Sequence, residues 1–111
     1  MFGTLLLLSI SFSTSLRVAF LTDLHVGEAC NPGPYNGTED CACIVNDRRA
    51  VAKINSLAAI DAVIITGDIT SSALPSEWEK AAEILSDLRM PYFPTMGNRA
   101  CAPCLAISVD R

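Results

Sequence analysis

A single histidine, His25, is all the imidazole this chain of 111 residues contains. A site with several imidazole ligands cannot be built from it. Basic residues are also few: eight lysines and arginines face twelve acidic residues, for a formal charge of −4, and they form no cluster. Phosphate backbones are held by basic patches, so no nucleic-acid-binding surface is evident. No apolar run approaches the ~20 residues that a bilayer-spanning helix needs, so no transmembrane segment is expected. No glycine-rich loop follows the first internal apolar run, Val18 to Leu21. This sets aside a nucleotide-binding α/β domain of the phosphate-loop or dinucleotide type.

The hydrophobic fraction of 50% is inflated by the first fifteen residues. Leu5-Leu6-Leu7-Leu8-Ser9-Ile10 followed by a Ser/Thr-rich stretch resembles a secretory signal peptide, with cleavage after Ser15. The other reading of that stretch is a buried first strand. Five cysteines suit an oxidising compartment. Cys30, Cys41 and Cys43 flank a polar loop that also carries the glycosylation sequon Asn36-Gly37-Thr38 and the turn-forming Asn31-Pro32-Gly33-Pro34. A Cys30–Cys41 or a Cys30–Cys43 bridge would staple this loop, and spacing does not choose between them. Cys101 and Cys104 have Cys-x-x-Cys spacing. Without further ligand residues they read as a disulfide or an incidental pair. A secreted glycoprotein is the expectation.

Along the chain, Leu16 to Leu24 is apolar on both faces, as a strand covered on both sides would be. Asn46 or Asp47 can cap a helix running to about Leu57, with Ala50, Val51, Ile54, Leu57 and Ala58 on its inner face. Asp61 to Thr66 is a second, β-branched strand, again apolar enough to be buried on both faces. Pro75 opens a second helix, in which Ser76 and Glu79 have capping-box spacing. Trp78, Ala81, Ala82, Leu85 and Leu88 form its inner stripe, and Glu77, Glu79, Lys80 and Glu83 its solvated face. Tyr92 to Met96 is a third strand, and Pro94 argues for an edge position or a bulge. The order β-α-β-α-β, with long connections, predicts a parallel sheet. Ligands of such sheets gather beyond the carboxyl ends of the strands.

Polar ligand-type residues stand at those ends. Asp23 and His25, two apart, share a face if the strand stays extended, and Leu24 then turns the other way. Gly67-Asp68 ends the second strand and Gly97-Asn98 the third. Carboxylate oxygen, imidazole nitrogen and amide oxygen together suit a borderline divalent metal such as zinc, manganese or iron.

In this order, Asp23-Leu24-His25, Gly67-Asp68 and Gly97-Asn98 resemble the Asp-x-His, Gly-Asp and Gly-Asn-His signatures of the calcineurin-like metallophosphoesterases. The resemblance runs from about Arg17 to Asn98. It implies the parallel-sheet half of a metallophosphoesterase-type αββα sandwich in an apparently truncated chain: a signal peptide over residues 1–15, the domain half over 16–98 and an atypical tail over 99–111. It also implies hydrolysis of a phosphate ester by two divalent metal ions, with a water activated to attack phosphorus in line. Carried over, Asp23 and His25 would bind the first metal, Asp68 would bridge both, and Asn98 would bind the second. Gly67 and Gly97 would let the backbone turn sharply before those side chains. Arg99 stands where the family has a catalytic histidine. A guanidinium can hold phosphate but does not donate its proton. The family's further metal-binding histidines have no counterpart. The alternative is therefore a non-catalytic secreted binding or interaction module with a degenerate metal site. Three strands alone would leave a sheet face open to association.

Overall fold

A computed structural model describes residues 15–30, 35–95 and 97. The candidate signal peptide up to Thr14, Asn98, Arg99 and the tail cysteines Cys101 and Cys104 lie outside the described residues. Three strands and two helices alternate: β1 (Val18–Leu21), α1 (Ala42–Ser56), β2 (Ala62–Thr66), α2 (Pro75–Ser86) and β3 (Tyr92–Thr95). Both strand pairings are parallel and the sheet order is β1-β2-β3. β-Branched β2 is thus the central strand, its Val63 and Ile65 fully buried, while Ala62 and Ile64 on its other face are only partly buried and not covered as expected. Pro94 sits on β3, at an edge of this sheet, where its missing N–H costs no ladder bond. This is the parallel α/β arrangement expected from the alternating pattern.

The two faces of the sheet differ. Val63 and Ile65 point into a core shared with Ile44, Val51 and Ile54 of α1 and Ala81, Ile84 and Leu85 of α2. On the other face Phe20 pairs with Ile64, and Ile64 with Phe93. Phe20 is 68% exposed and Phe93 57%. β1 is therefore not covered on both sides by the described residues. Its apolar outer face explains why its sequence shows no period-two alternation.

Helix α1 begins at Ala42, earlier than either Asn46 or Asp47 would start it. Cys41 is its N-cap, in extended conformation and without a side-chain cap bond. Two forces override the capping preference of the later residues. The Cys30–Cys41 disulfide pins the chain at the helix entrance. Burying Ile44 completely is also worth about 1.5–3 kcal/mol, more than the ~1 kcal/mol of a typical cap. The inner face is consequently Ile44, Asp47, Val51 and Ile54, while Leu57 and Ala58 are exposed.

Helix α2 starts as expected at Pro75, but Ser76 and Glu79 do not form its capping box. Leu74 is the N-cap and Glu77 the residue that reaches back. Its Oε2 accepts from the backbone N–H of Ser72 (2.8 Å) and of Leu74 (3.2 Å). Ser76 instead donates to the Tyr35 carbonyl at 2.9 Å. Glu77, expected on the solvated face, is only 2% exposed. Its carboxylate lies where a side chain at Gly27 would have to go. Glu77 thus ties the start of α2 to the segment after β1, and the spacing of charges gives no hint of this.

Charges also join the helices on the outside. Arg48 donates to Glu39 (2.9 Å) and Glu83 (2.6 Å), and Lys80 to Glu83 at 2.7 Å. Glu39, held by Arg48 and Lys80, titrates at about 2, below the usual carboxylate range. Such exposed pairs contribute little individually. They do fix the loop before α1 against both helices.

Asp47 is the anomaly of the core. It is 7% exposed, and its Oδ2 has no hydrogen-bond partner. Burial pushes its carboxyl from 3.8 up to about 7. Between those values the native state keeps a proton that the unfolded state has released. Stability therefore falls as pH rises through that window, and the full penalty is present above about pH 7. At ~1.4 kcal/mol per pH unit this is on the order of 2–4 kcal/mol. Replacing Asp47 by Asn should raise stability at pH 8 by that order and leave it nearly unchanged at pH 4. Urea unfolding at the two pH values measures the difference, and equal shifts at both would show that burial does not raise the Asp47 carboxyl.

Candidate metal centre

β1 ends at Leu21, so Asp23 and His25 are not strand residues. Their backbones take the left-handed conformation instead, with φ of 53° and 47°, and Asp68 does the same at 43°. For residues with a Cβ this conformation costs about 1–2 kcal/mol each. Leu24 between them is buried and anchors the segment in the core. The two side chains do converge, but through two left-handed residues about a buried leucine and not through the pleat of a strand.

The second segment is brought alongside by backbone pairing. His25 N–H donates to the Asp68 carbonyl (2.9 Å), Val26 N–H to Ile69 (3.0 Å), and Ser71 N–H to the Val26 carbonyl (3.0 Å). Val26 and Thr70 form a parallel bridge beyond the named strands. β1 and β2 are in effect extended by a short splice, and their two polar ends meet. Gly67, at φ 93°, supplies the turn that leads β2 into it. Gly97, after β3, lies so close that a Cβ there would overlap the backbone nitrogen and Oδ1 of Asp68. All three strand ends therefore arrive at one place.

Asp23, His25 and Asp68 each offer a ligand atom, and these lie within 4.8 Å of one another. Asp23 Oδ1 is 3.4 Å from His25 Nε2, and its Oδ2 accepts from the Thr22 hydroxyl at 2.5 Å. That hydroxyl first, and His25 second, hold the Asp23 carboxyl below its ordinary value. Asp23 is consequently a carboxylate throughout the neutral range. His25 Nδ1 is buried with no hydrogen bond and lies 3.7 Å from Glu28 Oε2. The donor set of two carboxylates and an imidazole suits a divalent ion of zinc, manganese or iron type. An unpaired ring nitrogen turned toward a carboxylate is what a ligating histidine needs behind it. The residues fit such a metal.

Glu28 has no role in the sequence reading. A turn closes from His25 to Glu28 (Glu28 N–H to His25 carbonyl, 2.9 Å), with Gly27 at φ 98°. An acid three residues after the histidine, with glycine at the third turn position, marks the turn in the sequence but not the approach of its carboxylate to the ring nitrogen. Asn98 and Arg99 lie outside the described residues.

Strand-end carboxylates and an imidazole at the carboxyl edge of a parallel sheet define a metallohydrolase type of centre. The family model for calcineurin-like phosphoesterases matches residues 16–100, and the chain belongs to that family. Its members are metal-dependent phosphoesterases, and the described residues supply a candidate Asp/His/Asp site. No curated protein matches the chain closely enough to set beside it.

The contact between Gly97 and Asp68 yields a test. Gly97→Ala should displace Asp68 and weaken Mn²⁺ binding at least ~10-fold, with the ~1–3 kcal/mol destabilisation typical of overpacking. Calorimetric titration with Mn²⁺ reads the first and thermal unfolding the second. Unchanged affinity would mean that Asp68 does not hold the ion.

Proposed function

We propose that the chain is a secreted, metal-dependent phosphoric ester hydrolase whose centre is built on Asp23, His25, Asp68 and Asn98. The supporting observation is the meeting of three strand ends at one cluster of oxygen and nitrogen donors, in a chain of this family. Asp23 and His25 would hold one ion. Asp68, with two carboxylate oxygens, would be shared with a second ion that Asn98 completes. When bound, the ions supply Lewis-acid charge that polarises the phosphate ester and an attacking water. The protein's own groups do the positioning. Thr22 and His25 keep Asp23 ionised. Glu28 stands behind the free ring nitrogen of His25. The splice from Val26 to Thr70 keeps the first two segments in register. Arg99 would bind the phosphate as a fixed cation and leave the leaving group to take its proton from water.

Arg99 and the single histidine also support a second reading, a secreted module that binds a metal or phosphate group without turnover. Hydrolysis of p-nitrophenyl phosphate and its bis ester, with Mn²⁺ or Zn²⁺, separates the two. The enzyme reading expects metal-stimulated release of nitrophenol that falls at least ~100-fold in Asp68→Ala. Equal rates in wild type and variant, beside tight metal binding by calorimetry, would favour the module.

Secretion is supported by the Cys30–Cys41 disulfide and by the exposed sequon. The Asn36 side chain is exposed and accepts the Thr38 N–H at 3.2 Å in a local turn. Protein expressed through a eukaryotic secretory pathway should carry one glycan, removed by peptide N-glycosidase and lost in Asn36→Gln. An unmodified Asn36 in secreted material would count against glycosylation.

A further inference from the structure

The cysteine loop holds more sulfur than one bridge uses. Cys30 and Cys41 are disulfide-bonded, and Cys43 is a free thiol whose Sγ lies 3.3 Å from that of Cys30. All three sulfurs fall within 4.8 Å of one another. This is a triangle with Cys43 beside the bridge, so attack along the line of the Cys30–Cys41 bond requires the Cys43 side chain to turn. Either Cys41 or Cys43 is near enough to be the partner of Cys30. The two positions are not equivalent. Cys41 is the N-cap of α1, 5% exposed, with its sulfur 3.9 Å from the Thr38 carbonyl. Cys43 is in the first turn and half-buried.

We propose that Cys30, Cys41 and Cys43 form a thiol–disulfide exchange site in which the bridge passes between Cys30–Cys41 and Cys30–Cys43. The Cys43 thiolate attacks Cys30 Sγ, the Cys30–Cys43 bond forms, the Cys30–Cys41 bond breaks, and Cys41 leaves as the thiolate. One disulfide and one thiol are present before and after. The proton lost by Cys43 is regained at Cys41, and no oxidant or reductant is consumed. The exchange moves the staple from the helix entrance into its first turn. It also replaces a reachable thiol at Cys43 by a buried one at Cys41. Cys30 follows Glu28 by two residues, so the staple that moves is the one holding the segment behind His25.

The full chain carrying Cys101→Ser and Cys104→Ser isolates the triangle. Incubated at pH 8, quenched in acid, alkylated under unfolding conditions and mapped by fragmentation mass spectrometry, it should show label on both Cys41 and Cys43. The Cys41-labelled share should rise over minutes to hours to on the order of a tenth or more. Cys41→Ser in the same background should form the Cys30–Cys43 bridge and remain unlabelled, and circular dichroism reports whether it folds. Label confined to Cys43 at all times would overturn the proposal. So would a folded Cys41→Ser variant in which both Cys30 and Cys43 are labelled. A Cys43–Cys101 or Cys43–Cys104 bridge in the wild-type chain would overturn it as well.

Discussion

Three backbone hydrogen bonds beyond the ends of β1 and β2 carry the site. His25 to Asp68, Val26 to Ile69 and Ser71 to Val26 splice two segments that have already left the regular sheet. Amide groups buried at a sheet end must find partners, and here they find each other. The pairing fixes the separation of Asp23, His25 and Asp68 through the backbone, without relying on any contact between the side chains. Four acidic or imidazole groups, Glu28 included, can then stand together before any ion compensates their charge.

The cost of this arrangement is visible in the backbone. Asp23, His25 and Asp68 all hold positive φ. Left-handed alanines occur elsewhere in the chain, at Ala59 and Ala73 among others, so the conformation alone marks no function. All three candidate ligands share it. Leu24, Val26 and Ile69, buried around the splice, supply the apolar contacts that hold these residues in place. Glu77 adds a polar tie, taking the N–H groups of Ser72 and Leu74 while resting against Gly27. The helix that packs on the sheet thereby also grips both segments that form the site.

The loop before α1 is organised by a different principle. Ion pairs from Glu39 to Arg48 and Lys80 press it on the helices, and the disulfide ties its two ends. Asp47, on α1, is a buried acid whose Oδ2 has no hydrogen-bond partner. It places a pH-dependent weakness in the core while Glu39, on the outside, stays charged. The two carboxylates differ because one is taken from water without a partner and the other is held by two cations.

Element order, the parallel sheet and the segments that end in candidate ligands are legible in the sequence, because hydrophobic runs and their polar stops are local patterns. So are β2 as a buried β-branched strand and Pro94 as an edge residue. The start of α1, the inward turn of Glu77, the pairing of Cys30 with Cys41 and the role of Glu28 are not. Each depends on a partner between 3 and 50 residues away: the core for Ile44, Gly27 for Glu77, a choice between two cysteines that spacing does not separate for Cys30, and the unpaired ring nitrogen of His25 for Glu28. Composition settled which donors this chain owns. Only the tertiary structure could decide how they meet, since the left-handed turns and the splice that aim them are stabilised by contacts between segments that are distant along the chain.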